Sequence, residues 1–323
     1  MSYGQDAKVG ISFQNSYGTA NIASMHWMEP VSESLTLQKA QIQRKGLRAG
    51  SYVTPGFQEG ANTIGGDLII EARANQLGVM LAAICASPTT VTSGALYTHS
   101  FLPRSSDHSV PSAGRPFTYL KHMGDTGSAQ QYSDLNATSL ELSISNGELL
   151  TAKMAVTGGT FARVASPSAT YSASNPIDWS VSSASIAGTA VSNINQLTIT
   201  QEESIEAKFA MGVTNKYPTR IKRNDYAKYS IAGTMTFDSQ AEFNQFIDQA
   251  EQRLLVNLVG TSLVQSGYYE SLLIDIPNMK YSEFPVVIGG AGEVEVSFKA
   301  AAIYNVTSSY AIKYTLACGK AGF

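Results

Sequence analysis

Apolar and polar residues alternate along much of the chain with a period of two. This is the pattern of strands that bury one face. Clear examples are SLTLQ (34–38), TIGGDLII (63–70), SLELSISN (139–146), ELLTAKMAVTGGTF (148–161), QLTIT (196–200), SIAGTMTF (230–237), SLLIDIPN (271–278) and EVEVSFKAAAIYN (293–305). The period changes to 3.6 in two places. Leu77, Met80, Leu81 and Ile84 fall on one helical face, and so do Phe243, Phe246, Ile247 and Ala250. Asp238-Ser239, with Glu242 in the first turn, reads as a helix start.

These elements occur in the same order twice. SLTLQ matches QLTIT. TIGGDLII matches SIAGTMTF, with Gly66 and Gly233 at the same place. Glycine inside a strand suits a bulge or a close backbone approach. A helical pattern follows each, and then SLELSISN and SLLIDIPN, which share their first two residues, their sixth and their last. The offsets between matched stretches are 162, 167, 166 and 132, drifting as loop insertions would make them. The order predicts an internal duplication.

The expected fold is mainly β. It has two tandem β-sandwich or rolled-sheet domains, each flanked by one α-helix. Residues 1–33 form an N-terminal arm, and 34–163 a first domain with a long inserted loop at 87–134. A Ser-, Ala- and Pro-rich linker spans 164–195, ordered by Tyr171 and Trp179, and 196–323 form a second domain. Asn146-Gly147 predicts a tight hairpin.

Composition narrows the function. Charged residues make up 15% and the net charge is −3, which excludes a strongly basic, general nucleic-acid binder. The two cysteines, Cys85 and Cys318, read as free thiols of a chain made in a reducing cytosol. The N-terminus has no basic-then-apolar leader, and the run Leu77 to Ala86 is too short to span a bilayer. A soluble chain without a membrane anchor is expected.

Candidate chemistry is sparse. His99, His108 and His122 are spaced by nine and fourteen, and His26 stands apart; no zinc pattern results. Asp107-His108 beside Ser105 and Ser106 lies in a Ser/Gly/Pro-rich stretch that does not guarantee triad geometry. Gly158-Gly159 and Gly289-Gly290 lack the strand–turn–helix context of a phosphate loop and read as sheet bends. No enzyme, cofactor or metal is expected. KYPTRIKRNDYAK (216–228) and QRKGLRAG (43–50) are basic.

The order Phe13…Tyr17-Gly18-Thr19, SLTLQKAQIQRKGLRAG, GGDLIIEARANQLGVMLAAI, YTHSFLP (97–103) and Tyr132…SLELSISNGELLTAKMAVTGG resembles the tail tube proteins of long-tailed bacteriophages, two-copy type. The resemblance implies a β-sandwich with a flanking helix, in subunits that join sheets into rings. The rings stack into a hollow tube through which DNA is ejected. It implies a virion tail protein assembled in the host cytoplasm. Its partners would be itself and the tape-measure, tail-terminator and tail-tip proteins, with DNA passing unbound. Two copies per chain favour a trimer with pseudo-sixfold symmetry over a hexamer. A lumen that does not hold DNA is neutral to acidic. Glu141, Ser143, Asp275, Glu293 and Glu295, with Lys153, are the expected lining. Arg44, Lys45, Arg48, Arg220, Lys222 and Arg223 are the expected inter-ring contacts, with the arm and the long loop tying rings together. The rival reading is a two-domain adhesin or carbohydrate-binding decoration protein, with Trp179 or Tyr268-Tyr269 stacking on sugars.

Overall fold

The alternating stretches are strands and the two 3.6-period stretches are helices in the computed structural model, which describes residues 6–46, 56–104, 115–124, 127–165, 167–212, 216–238, 240–287 and 293–323. The first half runs β1 (Ala7–Phe13), β2 (His26–Met28), β3 (Pro30–Glu33), β4 (Thr36–Gln43), β5 (Phe57–Glu71), α1 (Ala74–Ile84), β6 (Thr89–Ser93), β7 (Leu96–Phe101), β8 (Phe117–Met123), β9 (Ser128–Ser145) and β10 (Thr151–Ala165). A short hairpin follows, β11 (Ser183–Ile186) and β12 (Thr189–Val191). The second half runs β13 (Ile194–Glu202), β14 (Ile205–Lys208), β15 (Arg220–Arg223), β16 (Lys228–Thr236), α2 (Ala241–Ile247), β17 (Gln252–Gln265), β18 (Tyr268–Glu283), β19 (Glu295–Ala302) and β20 (Lys313–Cys318).

Every pairing among the described strands is antiparallel, and all but β14 and β15 belong to one sheet. Neighbour order in the first half is β4, β5, β10, β9, β8, β1, β2. In the second half it is β13, β16, β19, β18, β17, β11, β12. The halves are joined where the C-terminal part of β9 pairs with β13, from Ser145 opposite Gln196 to Ser139 opposite Glu202. A second seam forms where β20 lies between β18 and β7.

The register of the leading strands recurs. Leu37 stands opposite Ile64, and Ile199 opposite Ile231. Gly66 lies against Leu35, and Gly233 opposite Leu197. On the third strand, Val156 faces Gly66 and Phe298 faces Gly233. SLELSISN and SLLIDIPN do not occupy matching places. Residues 139–145 run between β10 and β13, whereas 271–275 run between β17 and β20. Their likeness reflects a shared inward pattern, Leu140 and Leu142 in one and Leu272, Ile274 and Ile276 in the other, all buried.

Three further expectations change. Residues 7–33 are not a free arm: β1 is paired on both sides, by β2 and β8, with Val9 and Ile11 in the core. The stretch 87–134 is largely strand, holding β6, β7, β8 and the start of β9; residues 105–114 and 125–126 lie outside the described residues. The segment 164–195 opens inside β10 and carries the β11–β12 hairpin. Its anchor is Ile177, fully buried and hydrogen-bonded to Leu150 and Ala72. Tyr171 and Trp179 are exposed.

The helices differ from each other. α2 flanks the sheet: Phe243 and Phe246 pack on Phe284 with ring centroids 6.3 and 6.4 Å away, and no α2 residue is fully buried. It ends at Ile247, leaving Ala250 outside. α1 instead is buried on every side, because Val79, Ala82 and Ala83 complete an apolar surface around the expected face. Arg104 caps its C-terminal end, Nη2 donating to the Ala83 carbonyl (2.7 Å) and Nε to that of Cys85 (2.9 Å). A cation there suits the carbonyl end of the helix.

Candidate functional site

The strands β5, β10, β9, β13, β16 and β19 form an unbroken six-strand surface across both halves. Alternation sorts its residues into rows. Ile70, Ala152, Leu142, Ile199, Ile231 and Ala300 align in register, and all are buried. The adjacent rows point the other way. One is Glu71, Thr151, Ser143, Thr198, Ala232 and Lys299; the other is Ile69, Lys153, Glu141, Thr200, Ser230 and Ala301. None of these twelve is buried. The outward face is therefore short, polar and rich in hydroxyls.

Its polar groups satisfy one another. Ser143 Oγ and Thr198 Oγ1 are 3.0 Å apart, and Lys153 Nζ meets Asp67 at 3.3 Å. Asn195 Nδ2 donates to Glu295 Oε1 (3.0 Å). The fold thus brings Glu141, Ser143, Lys153 and Glu295 to one face, with exposed Glu293 just before β19. Asp275 is elsewhere, on the part of β18 between β17 and β20. Arg253 grips its carboxylate through Nε–Oδ1 (2.9 Å) and Nη2–Oδ2 (2.8 Å), and the Tyr310 hydroxyl donates to Oδ2 (2.8 Å). Burial raises the Asp275 pKa, but these bonds and the Arg253 charge outweigh it and hold the group below its ordinary value.

The basic residues divide. Arg44 and Lys45 follow β4 and are exposed. Arg48 lies outside the described residues. Arg220 and Lys222 sit on β15, opposite Lys208 and Glu206. Arg223 is engaged internally, with the buried Glu203 carboxylate and the Arg104 carbonyl. The start of the second basic stretch packs on the first half, which the sequence did not reveal. Lys216 reaches β5, its carbonyl accepting from Asn62 N (2.9 Å) and its ammonium 3.2 Å from Glu59. Lys39 is 3.5 Å from the same carboxylate. The hydrogen bonds from Lys216 and Asn62, then both lysine charges, hold Glu59 below its usual pKa.

The described histidines are held within the fold. The buried His99 ring contacts Thr90 Oγ1 through Nδ1 and the Lys320 carbonyl through Nε2, both at 2.8 Å. Burial, then the charges of Lys320 and Arg115, lower His26 to about 4. His122 is buried, and His108 and its neighbouring serines lie outside the described residues. Among the described residues no group of three or more His, Cys, Asp or Glu is placed to hold a metal. Tyr268 and Tyr269 are consecutive on one strand, so they point to opposite faces and make no joint sugar platform. Sequence reasoning also missed Glu270: burial pushes its carboxyl up to about 7, against a hydrogen bond from Ser174 and the charge of Arg73.

Among the described residues no helix is long and apolar enough to cross a membrane. No curated protein matches the chain. The family model described as phage tail tube protein matches residues 4–302, and the chain belongs to that family.

Proposed function

We propose that this structural tail protein closes into rings that stack into a hollow tube, with the six-strand polar face lining the bore. The carrying observation is the continuity of that face through the β9–β13 joint, which gives one chain a double-width share of a wall. The recurring register of β4–β5–β10 and β13–β16–β19 supports a tandem pair of tube domains. A chain with two such units closes a pseudo-sixfold ring as a trimer.

The face suits transit. Glu71, Asp67, Glu141, Glu202 and Glu295 outnumber Lys153, Lys228 and Lys299 on it. DNA affinity grows with each phosphate neutralised, so a face with few free cations lets the genome slide. Arg44, Lys45, Arg220 and Lys222 are placed for contacts between rings. The tape-measure protein fills the bore before ejection, and tail-terminator and tail-tip proteins close the ends. Assembly takes place in the host cytoplasm. Negative-stain microscopy of concentrated protein tests this: rings or tubes with a central hole are expected. Particles that stay monomeric overturn it.

A further inference from the structure

Beside the first turn of α1 the fold gathers polar groups that it does not match. A cavity of about 250 Å³ opens there. Buried Gln76, Val79 and Trp27 line its inner part, and exposed Thr170 and Tyr171 its mouth. None of the strands β5, β10, β9, β13, β16 or β19 contributes to it, so the site is separate from the six-strand face.

Gln76 is 2% exposed, and neither its Oε1 nor its Nε2 has a hydrogen-bond partner in the protein. Asn75, also in the cavity wall, donates through Nδ2 to Ser172 Oγ (3.0 Å), but its buried Oδ1 is likewise unmatched. Burying an amide without a hydrogen bond costs stability, so such a group calls for a partner from outside the fold.

Lys320 adds a charge to the same cavity. Its ammonium donates to His26 Nδ1 (2.9 Å) and lies 4.8 Å from the Phe323 ring centroid. Among the described residues no carboxylate pairs with it, and burial lowers its pKa. Burial and the Lys320 charge keep His26 neutral, with its pKa at about 4, so the ring accepts this hydrogen bond. Arg73, at the start of α1, is different: Glu29 already pairs with it at 2.9 Å. The first turn of α1 has no side-chain cap and no acidic residue, so nothing on the helix itself offsets its positive end.

We propose that this cavity binds a small carboxylic acid carrying a hydroxyl or ammonium beside the carboxylate, as hydroxy acids and amino acids do. The carboxylate takes the Lys320 ammonium and the Gln76 Nε2 donor. The neighbouring donor takes Gln76 Oε1 and Asn75 Oδ1. An anion is required because water would pair the amides but leave Lys320 without a countercharge. A donor is required because two of the unmatched atoms are acceptors. The volume keeps the ligand small, since sites for drug-sized molecules occupy roughly 300–1,000 Å³.

Titration calorimetry on the full chain tests it. The probes are L-serine and L-lactate; the controls are acetate, which lacks the donor, and ethanolamine, which lacks the carboxylate. Saturable binding of a probe is expected, at least tenfold tighter than that of either control. No saturable binding of either probe overturns the proposal, and so does acetate or ethanolamine binding as tightly as serine. Lys320→Met should weaken probe binding at least tenfold, and unchanged affinity overturns the site. Gln76→Met should weaken it as much, yet raise the melting temperature of the unliganded chain, because it removes an unpaired buried amide. A lowered melting temperature with binding intact would make Gln76 a structural residue and overturn its role. Should Gln76→Met not fold, Lys320→Met and the comparison of probes with controls decide. The presence or absence of rings bears on none of these outcomes, so failure here leaves the assembly reading standing.

Discussion

Gly66 lies so close to Leu35 that a Cβ on the glycine would stand 2.5 Å from the Leu35 Cα. Gly233 repeats the relationship, its Cβ position 2.5 Å from the Gln196 carbonyl oxygen and 2.8 Å from Phe298 Cζ. Both glycines sit at the middle of a three-strand contact, where the obstruction is backbone and cannot swing away. Gly66→Ala and Gly233→Ala should each cost about 3 kcal/mol, the upper range for overpacking a core. Urea unfolding measures this as a lowered midpoint, and unchanged midpoints would show that the strands can spread.

Glu270 predicts an inverted pH dependence. Its folded pKa is raised to about 7 from an ordinary 4.5, with burial the main cause. The folded state therefore binds more protons than the unfolded state between those values, and stability contributed by this group falls as pH rises through that window. The loss at pH 8 amounts to roughly 3 kcal/mol. Glu270→Gln should stabilise the protein at pH 8 and change little at pH 4. Denaturation at the two pH values checks the sign; a gain at pH 4 alone contradicts it.

The Glu203–Arg223 pair ties the β14–β15 hairpin to the body, with Gln201 Nε2 also donating to Glu203 (3.0 Å). The Glu203 side chain is fully buried. Removing the guanidinium strands a carboxylate, so Arg223→Ala should cost about 3 kcal/mol, and Glu203→Gln in the same chain should recover much of it. A double-mutant cycle reads the coupling. Additive losses would mean that the ion pair does not carry the attachment.

Arg44, Lys45, Arg220 and Lys222 should matter to stacking and not to folding. Replacing all four by serine should leave the melting temperature within a degree or two, since exposed charges contribute little. It should shorten tubes markedly in electron micrographs. Tubes of normal length would remove these residues from the ring-to-ring contact.

Glu141→Lys with Glu295→Lys should convert the bore from indifferent to adhesive. Wild-type tubes should release DNA in low-salt filter binding, while the variant should retain it and lose it steeply as salt rises. No retention by variant tubes would place this face away from the bore.

Much of the architecture was legible because alternation reports burial directly. Leu140, Leu142, Ile199 and Ile231 are inward as their spacing requires, and Phe243 and Phe246 mark a helix lying on the sheet. What the pattern could not show was pairing between distant segments. Nothing in AKVGISF says that it lies between β2 and β8, and nothing in KYTLAC points to β7. α1 looked one-sided because only its largest residues were counted, while Ala82 and Ala83 bury just as fully. The echo of SLELSISN misled for a related reason. Leu at alternate positions specifies a buried side, not a neighbour. The candidate face was half visible: periodicity picked Glu141 and Ser143, whereas Asp275 shares their alternation but is held by Arg253 and Tyr310, whose positions depend on the fold.

The seam between β7 and β20 also sets a clock on synthesis. Leu96–Phe101 must wait for Lys313–Cys318 before that side of the sheet is complete. A ribosome adding about 5–20 residues per second leaves it uncovered for roughly 10–40 s. During that interval the nascent polypeptide carries a half-built hydrophobic interior. Until the last strand arrives, that unfinished apolar side is open to misassociation with other chains.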